Sequence, residues 1–205
     1  MKQHVMVDIE TLGNEPQNGV IIAMAAIAFN MDEEIPYPLP ADFGSSLSPT
    51  MFYTPIIPWQ QEEDYQFVVE QETLRWWLEP SRVLQFAEFV RSNQRVSIEI
   101  AFAMWNAWLR TGTVQTKERQ LWSHGVMFDC MHLSQKWPQV MAVSFNNICL
   151  YKNMRDTRTL FAAYEARYGK SPYPNQSRQR HHHPLEDSWF QAVAVQTAWK
   201  GLMHD

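Results

Sequence analysis

Near the start of the chain two carboxylates interrupt an apolar run, Val5-Met6-Val7-Asp8-Ile9-Glu10, and any fold has to accommodate them. Apolar residues at this density predict a short buried strand. Side chains two apart on a strand share a face, so Asp8 and Glu10 stand side by side. Two carboxylates forced together out of water repel each other and lose hydration, which costs stability unless a cation compensates them. That conflict marks the stretch as a candidate site. The competing reading is a solvated strand end that happens to be acidic.

After Gly13 the segment Asn14 to Gly19 is turn chemistry, and the apolar run Val20 to Phe29 predicts a second strand beside the first. Met31 to Thr50 holds Pro36, Pro38, Pro40 and Pro49, which predicts a long excursion without regular structure. Met51-Phe52-Tyr53 offers a third strand and completes a meander. Helical spacing then takes over: Val83, Phe86, Ala87 and Val90 form one stripe, and Ile100, Ala103, Met104, Ala107 and Trp108 another. Thr73 to Leu78 precedes the first of these helices. Leu121-Trp122-Ser123 reads as a strand entering the turn His124-Gly125, with Phe128-Asp129 opening a helix. Phe145 to Tyr151 is a further strand candidate. Asp156 or Thr157 caps a helix with the stripe Leu160, Phe161, Tyr164 and Tyr168. Pro184 suits the first position of a last helix, whose buried face is Leu185, Trp189, Ala192 and Val193. Strands followed by alternating helices and strands, with no repeat and no linker, predict one α/β domain over residues 1–205.

Composition narrows the partners. A formal net charge of −5 argues against a broadly cationic surface coating a long duplex. It leaves room for a small nucleic-acid footprint, because divalent ions in an acidic site reverse the sign a phosphate meets. Cys130 and Cys149 lack Cys-x-x-Cys spacing and fit a reducing cytoplasm as ordinary buried thiols. Asp8 and Glu10 arrive before any run of signal-peptide length, and Val20 to Phe29 is too short to span a bilayer, which needs roughly 20 residues. No membrane partner is therefore expected, and the location expected is cytoplasmic.

Asp8, Glu10, Asp129 and Asp187 share a context: each lies on a strand or at a helix start beside a turn, where open α/β sheets place their sites. Asp129 and Asp187 taken singly also read as helix caps. Together, Asp8-x-Glu10-Thr11-Leu12-Gly13, then Trp122-x-His124-Gly125-x-x-Phe128-Asp129, then His182-x-x-x-x-Asp187, resemble the three exonuclease motifs of the DnaQ-like DEDDh superfamily. Thr73 to Trp77 and Arg155 to Leu160 are similar to stretches of phage DexA-type exonucleases and of related bacterial 3′-5′ exoribonucleases, which also suggests a phage or prophage connection. The Pro-rich excursion at about 31–50 stays unmatched and reads as an insertion.

This resemblance implies an RNase H-like fold with a five-stranded mixed sheet, three strands antiparallel and then two parallel, flanked by helices. It implies Asp8, Glu10, Asp129 and Asp187 as ligands of two divalent cations, and His182 as general base. All-carboxylate ligation suits Mg²⁺ or Mn²⁺ over Zn²⁺. Two such ions about 3.5 to 4 Å apart stabilise both attacking and leaving oxygens of an in-line displacement. The implied activity is 3′-5′ hydrolysis of single-stranded DNA or RNA with a free 3′ end to nucleoside 5′-monophosphates. Thr11 and Leu12, with Leu12 at the wedge position of the family, and Trp76 and Phe128 as stacking platforms, are the implied substrate contacts. Where many relatives have Asn and Asn-Ala, this chain has His124 and His183-Pro184, and the run His181-His182-His183 leaves only the five-residue offset to Asp187 to select the base.

Competing readings of these features are a nucleic-acid-binding domain without catalysis, a phosphodiesterase of short oligonucleotides, and a transition-metal site or tag remnant at the histidines. Trp76 and Trp77 are adjacent and cannot both face the core, so one is expected in the groove or at a subunit contact. The surplus of aromatics allows a homodimer. Arg178 and Arg180 read either as a solvated loop or as phosphate contacts.

Overall fold

The computed structural model describes residues 1–38, 42, 46–180 and 182–204. β1 (His4–Thr11) and β2 (Ile21–Phe29) pair antiparallel, with His4 opposite Phe29. β3 (Ser46–Leu47) is a two-residue edge against β4 (Met51–Pro55), which pairs antiparallel with β2. On the other side of β1, β5 (Gln120–Ser123) and β6 (Met154–Asp156) continue the sheet in parallel. The order is β3-β4-β2-β1-β5-β6. The expected three antiparallel and two parallel strands are present, and β3 adds a short edge inside the excursion expected to hold no regular element. The rest of that excursion lies partly outside the described residues.

Among the described residues seven α-helices accompany the sheet: α1 (Trp59–Tyr65), α2 (Gln71–Trp77), α3 (Val83–Arg91), α4 (Ile98–Gly112), α5 (Asp129–Met141), α6 (Thr157–Tyr168) and α7 (Pro184–His204). None of the described helices is long and apolar enough to cross a membrane. β2 is the centre of the core, with every residue buried. Its alanines, Ala23, Ala25, Ala26 and Ala28, carry little bulk, and α7 and α3 both pack against this strand. Small residues here trade hydrophobic area for close approach of helix and sheet.

One local reading is corrected and one helix is added. Phe145 to Tyr151 is not a strand: Phe145–Asn147 and Tyr151–Asn153 are single 3₁₀ turns, and β6 follows them. The buried Phe145, Ile148 and Cys149 recur at i, i+3 and i+4, a helical period, while the Ser144 hydroxyl accepts the Asn146 N–H at 3.2 Å and Asn146 and Asn147 face solvent. Helix α1 had no amphipathic signature because a polar residue anchors it. Gln61 is fully buried, accepts the Ile21 N–H at 3.0 Å and donates to the Ile21 carbonyl at 2.7 Å, standing in for a strand partner at the start of β2.

The turn between β1 and β2 is fixed by close approach. A Cβ on Gly13 would lie 2.8 Å from the Gly19 Cα, so only glycine fits there. The Glu70 N–H donates to the Leu12 carbonyl at 2.7 Å, and the buried Lys136 ammonium reaches the Pro16 carbonyl at 2.7 Å. The pairing register slips between Glu10 and Thr11, so β1 is irregular where its acids end.

Candidate active site

Asp8 and Glu10 stand on one face of β1, and α7 crosses that face with Asp187 in its first turn. The carboxylates of Asp8, Glu10 and Asp187 each offer an oxygen within 4.8 Å of the others. Gln191, one turn beyond Asp187, donates its amide to Asp8 at 3.0 Å. Asp129 lies beside this trio at the start of α5, buried, with Oδ1 accepting the Ile9 N–H at 3.2 Å. It is not within the 4.8 Å set, yet it and Asp8 feel each other's charge.

These acids pay heavily for their location. Burial pushes Asp8 up to about 7, against the smaller opposing pull of the Gln191 hydrogen bond and the Arg178 charge. Glu10 is held well above the ordinary carboxylate range by burial and then by the negative charges of Asp8 and Asp129. Asp129 is raised by burial and by Asp8. Three acids raised together by desolvation and mutual repulsion form a site with a deficit of positive charge. The donor set is all oxygen, hard and crowded, which fits divalent cations such as Mg²⁺ or Mn²⁺.

Beside the acids opens a cavity of about 430 Å³, lined by Glu10 and Thr11 of β1, by Asn14, Glu72 and Thr73, and by the rings of Trp76, Trp77 and Phe128. The adjacent tryptophans divide as expected. Trp77 is buried and donates its indole N–H to the Thr11 carbonyl at 2.9 Å, whereas Trp76 is 38% exposed. Leu12, the residue after β1, is buried and does not line the cavity.

His182 and His183 part company. His182 has φ 56°, a left-handed backbone that turns its ring onto Trp76, with centroids 5.0 Å apart. His183 is fully buried between Tyr53 and Phe89, and its Nδ1 accepts the Leu185 N–H at 3.3 Å, capping α7 just ahead of Pro184. The substitution of His-Pro for Asn-Ala is thus a helix start. His181 lies outside the described residues. No histidine joins the metal-competent trio among the described residues. His124 is held by α6, its Nδ1 2.8 Å from the Thr157 hydroxyl. Asp156 caps α6 by accepting the Arg158 N–H at 2.8 Å and also holds the Val126 N–H at 2.9 Å.

Three contributors escaped sequence reasoning. Gln191 was visible only as a polar residue at i+4 from Asp187. Glu186 is fully buried and accepts the Gln179 N–H at 2.7 Å, the Arg180 N–H at 2.6 Å and the Tyr37 hydroxyl. Tyr37 comes from the Pro-rich excursion, which offered no signal. Of the two arginines in the loop, Arg180 pairs with Glu88 of α3 and Arg178 with Asp187 itself.

In fold, the chain is similar to exonuclease I from Methylocaldum szegediense, at 10% identity and a TM-score of 0.64, covering 100% of this chain and 42% of that one. E. coli exonuclease I in complex with a dT13 oligonucleotide matches at 10% identity and 0.58, covering 98% and 41%. The nuclease domain of 3′hExo, a DEDDh family member bound to rAMP, matches at 16% identity and 0.54, covering 97% and 91%. The chain thus spans about two-fifths of the exonuclease I proteins it matches. No curated protein matches its sequence. The model of the 3′-5′ exoribonuclease Rv2179c-like domain matches residues 3–199, nearly the full length, and the chain belongs to that family.

Proposed function

We propose that the protein is a divalent-metal-dependent 3′-5′ exonuclease that releases nucleoside 5′-monophosphates from a single-stranded 3′ end, with RNA the favoured substrate. The observation that carries this reading is the cluster of Asp8, Glu10 and Asp187, with oxygens within 4.8 Å, at the edge of an aromatic cavity large enough for one nucleoside. The family's exoribonuclease description supports RNA. The likeness to proteins solved with dT13 and with rAMP supports a single strand and a mononucleotide product.

In this reading Asp8, Glu10 and Asp187 hold Mg²⁺ or Mn²⁺, and Asp129 completes the ligand set from its place beside them. When bound, the two ions neutralise the scissile phosphate and lower the pKa of water. His182 accepts a proton from the attacking water as that oxygen bonds to phosphorus and the bond from phosphorus to the 3′ oxygen of the preceding nucleotide breaks. That 3′ oxygen takes up a proton and leaves as the new chain end. The terminal base stacks between Trp76 and Phe128, with Thr11 on the cavity wall.

The deciding assay uses matched end-labelled single-stranded RNA and DNA with Mg²⁺, Mn²⁺ or EDTA, products being resolved by length. Stepwise shortening from the 3′ end that EDTA stops is expected. Asp8→Ala and Asp187→Ala should abolish it while circular dichroism stays native, and full activity in either variant would sink the site assignment. Cleavage confined to oligonucleotides of a few residues would favour a short-oligonucleotide phosphodiesterase, and binding without cleavage a non-catalytic domain.

A further inference from the structure

The loop ahead of His182 brings one cation to the acids. The Arg178 guanidinium pairs with Asp187 and lies over the Phe190 ring, 4.9 Å from its centroid. Its charge is also felt at Asp8 and at Tyr173. The next two residues are clamped, because the N–H groups of Gln179 and Arg180 both donate to buried Glu186. The backbone that carries Arg178 is therefore anchored beside the acids, while the side chain keeps 31% exposure on the open side.

This inference rests on the exonuclease reading of the carboxylate site. The guanidinium sits on Oδ1 of Asp187, so a divalent cation on the same carboxylate competes with Arg178 for its charge and weakens its hold. An anchored guanidinium set free there is left next to the position that a scissile phosphate must occupy if the acids hold the metals. Its planar fork of N–H donors matches two non-bridging phosphate oxygens, which a lysine cannot imitate. We propose that Arg178 is a phosphate-binding catalytic residue of the exonuclease, parked on Asp187 as an internal counter-ion until divalent metal displaces it.

Arg178→Gln and Arg178→Lys separate the two halves of the proposal. In calorimetric titration with Mn²⁺ alone, Arg178→Gln should bind about threefold tighter than wild type, since a competing cation of ordinary ion-pair strength has been removed. Arg178→Lys, which keeps the charge, should stay near the wild-type value. In single-strand hydrolysis with saturating Mn²⁺, both variants should lose on the order of 10- to 100-fold in kcat/KM, because neither supplies the fork. Inhibition by AMP should weaken in both, while inhibition by adenosine, which lacks the phosphate, stays unchanged. Unchanged Mn²⁺ affinity in Arg178→Gln overturns the parking, and turnover within about twofold of wild type overturns the phosphate contact. If the wild type hydrolyses no nucleic acid, the exonuclease reading fails on its own, and the Mn²⁺ titration still decides whether Arg178 competes for Asp187.

Discussion

His182 and His183 are neighbours in contrasting surroundings. The left-handed backbone of His182 costs roughly 1–3 kcal/mol for a side chain with a Cβ, and such strain persists only where the surroundings hold it. Here the surroundings are the Glu186 clamp on one side and the capped start of α7 on the other. His182→Ala should therefore slow hydrolysis by roughly 10² to 10⁴ without lowering Tm, the loss expected of a general base. His183→Ala should instead lower Tm through a cavity between Tyr53 and Phe89, at a cost of about 2–4 kcal/mol. Differential scanning calorimetry beside steady-state kinetics distinguishes them, and the opposite pattern would move the base by one residue.

Element by element, β1, β2, β4 and β5 were legible because they are apolar and bounded by turn residues, whereas β6 was expected too early, at Phe145 to Tyr151, and β3 lay inside the excursion. β2 and the start of α7 at Pro184 could be placed almost to the residue. What could not be read was anything built on a buried polar group. Gln61 fixes α1, and Glu186 ties the loop of Arg178 and His182 to Tyr37, yet none of these residues stands in a periodic pattern. The carboxylates at 8, 10, 129 and 187 were legible through their motifs, whereas the Arg178 pairing depends on how a loop returns over α7. That loop is also where an element-scale prediction belongs. Glu186→Ala should release the amides of Gln179 and Arg180, raising their hydrogen exchange by at least tenfold by mass spectrometry, and lower kcat together with it. Unaltered exchange at both amides would show that Glu186 is not the anchor.

At the scale of the whole molecule, the buried acids oppose folding wherever they are charged. Asp8 titrates at about 7 in the folded protein and near 3.8 in an unfolded chain. Its folded pKa is raised, so the stability linked to its proton is full below about 4 and lost as the pH climbs towards 7. Asp8→Asn removes that loss. Its Tm in EDTA should rise relative to wild type as the pH goes from 4 to 7 and then level off, by roughly 3 °C or more at the plateau for a chain of this size. His4 and His132, held down to about 4 by burial, pull stability the opposite way, but they are common to both proteins and cancel in the difference. Mn²⁺ should raise the wild-type Tm and leave Asp8→Asn almost unmoved, and a flat difference across the pH range would mean that Asp8 is not strained. The same architecture sets a schedule for biosynthesis. Asp8 and Glu10 lie on the first strand and Asp187 on the last helix. A nascent chain halted between residues 123 and 187 can pair β1 with β2 and add β5, yet it carries only part of the carboxylate set. Whatever chemistry these acids perform is withheld from every intermediate that stops short of α7 and becomes available only when that helix docks.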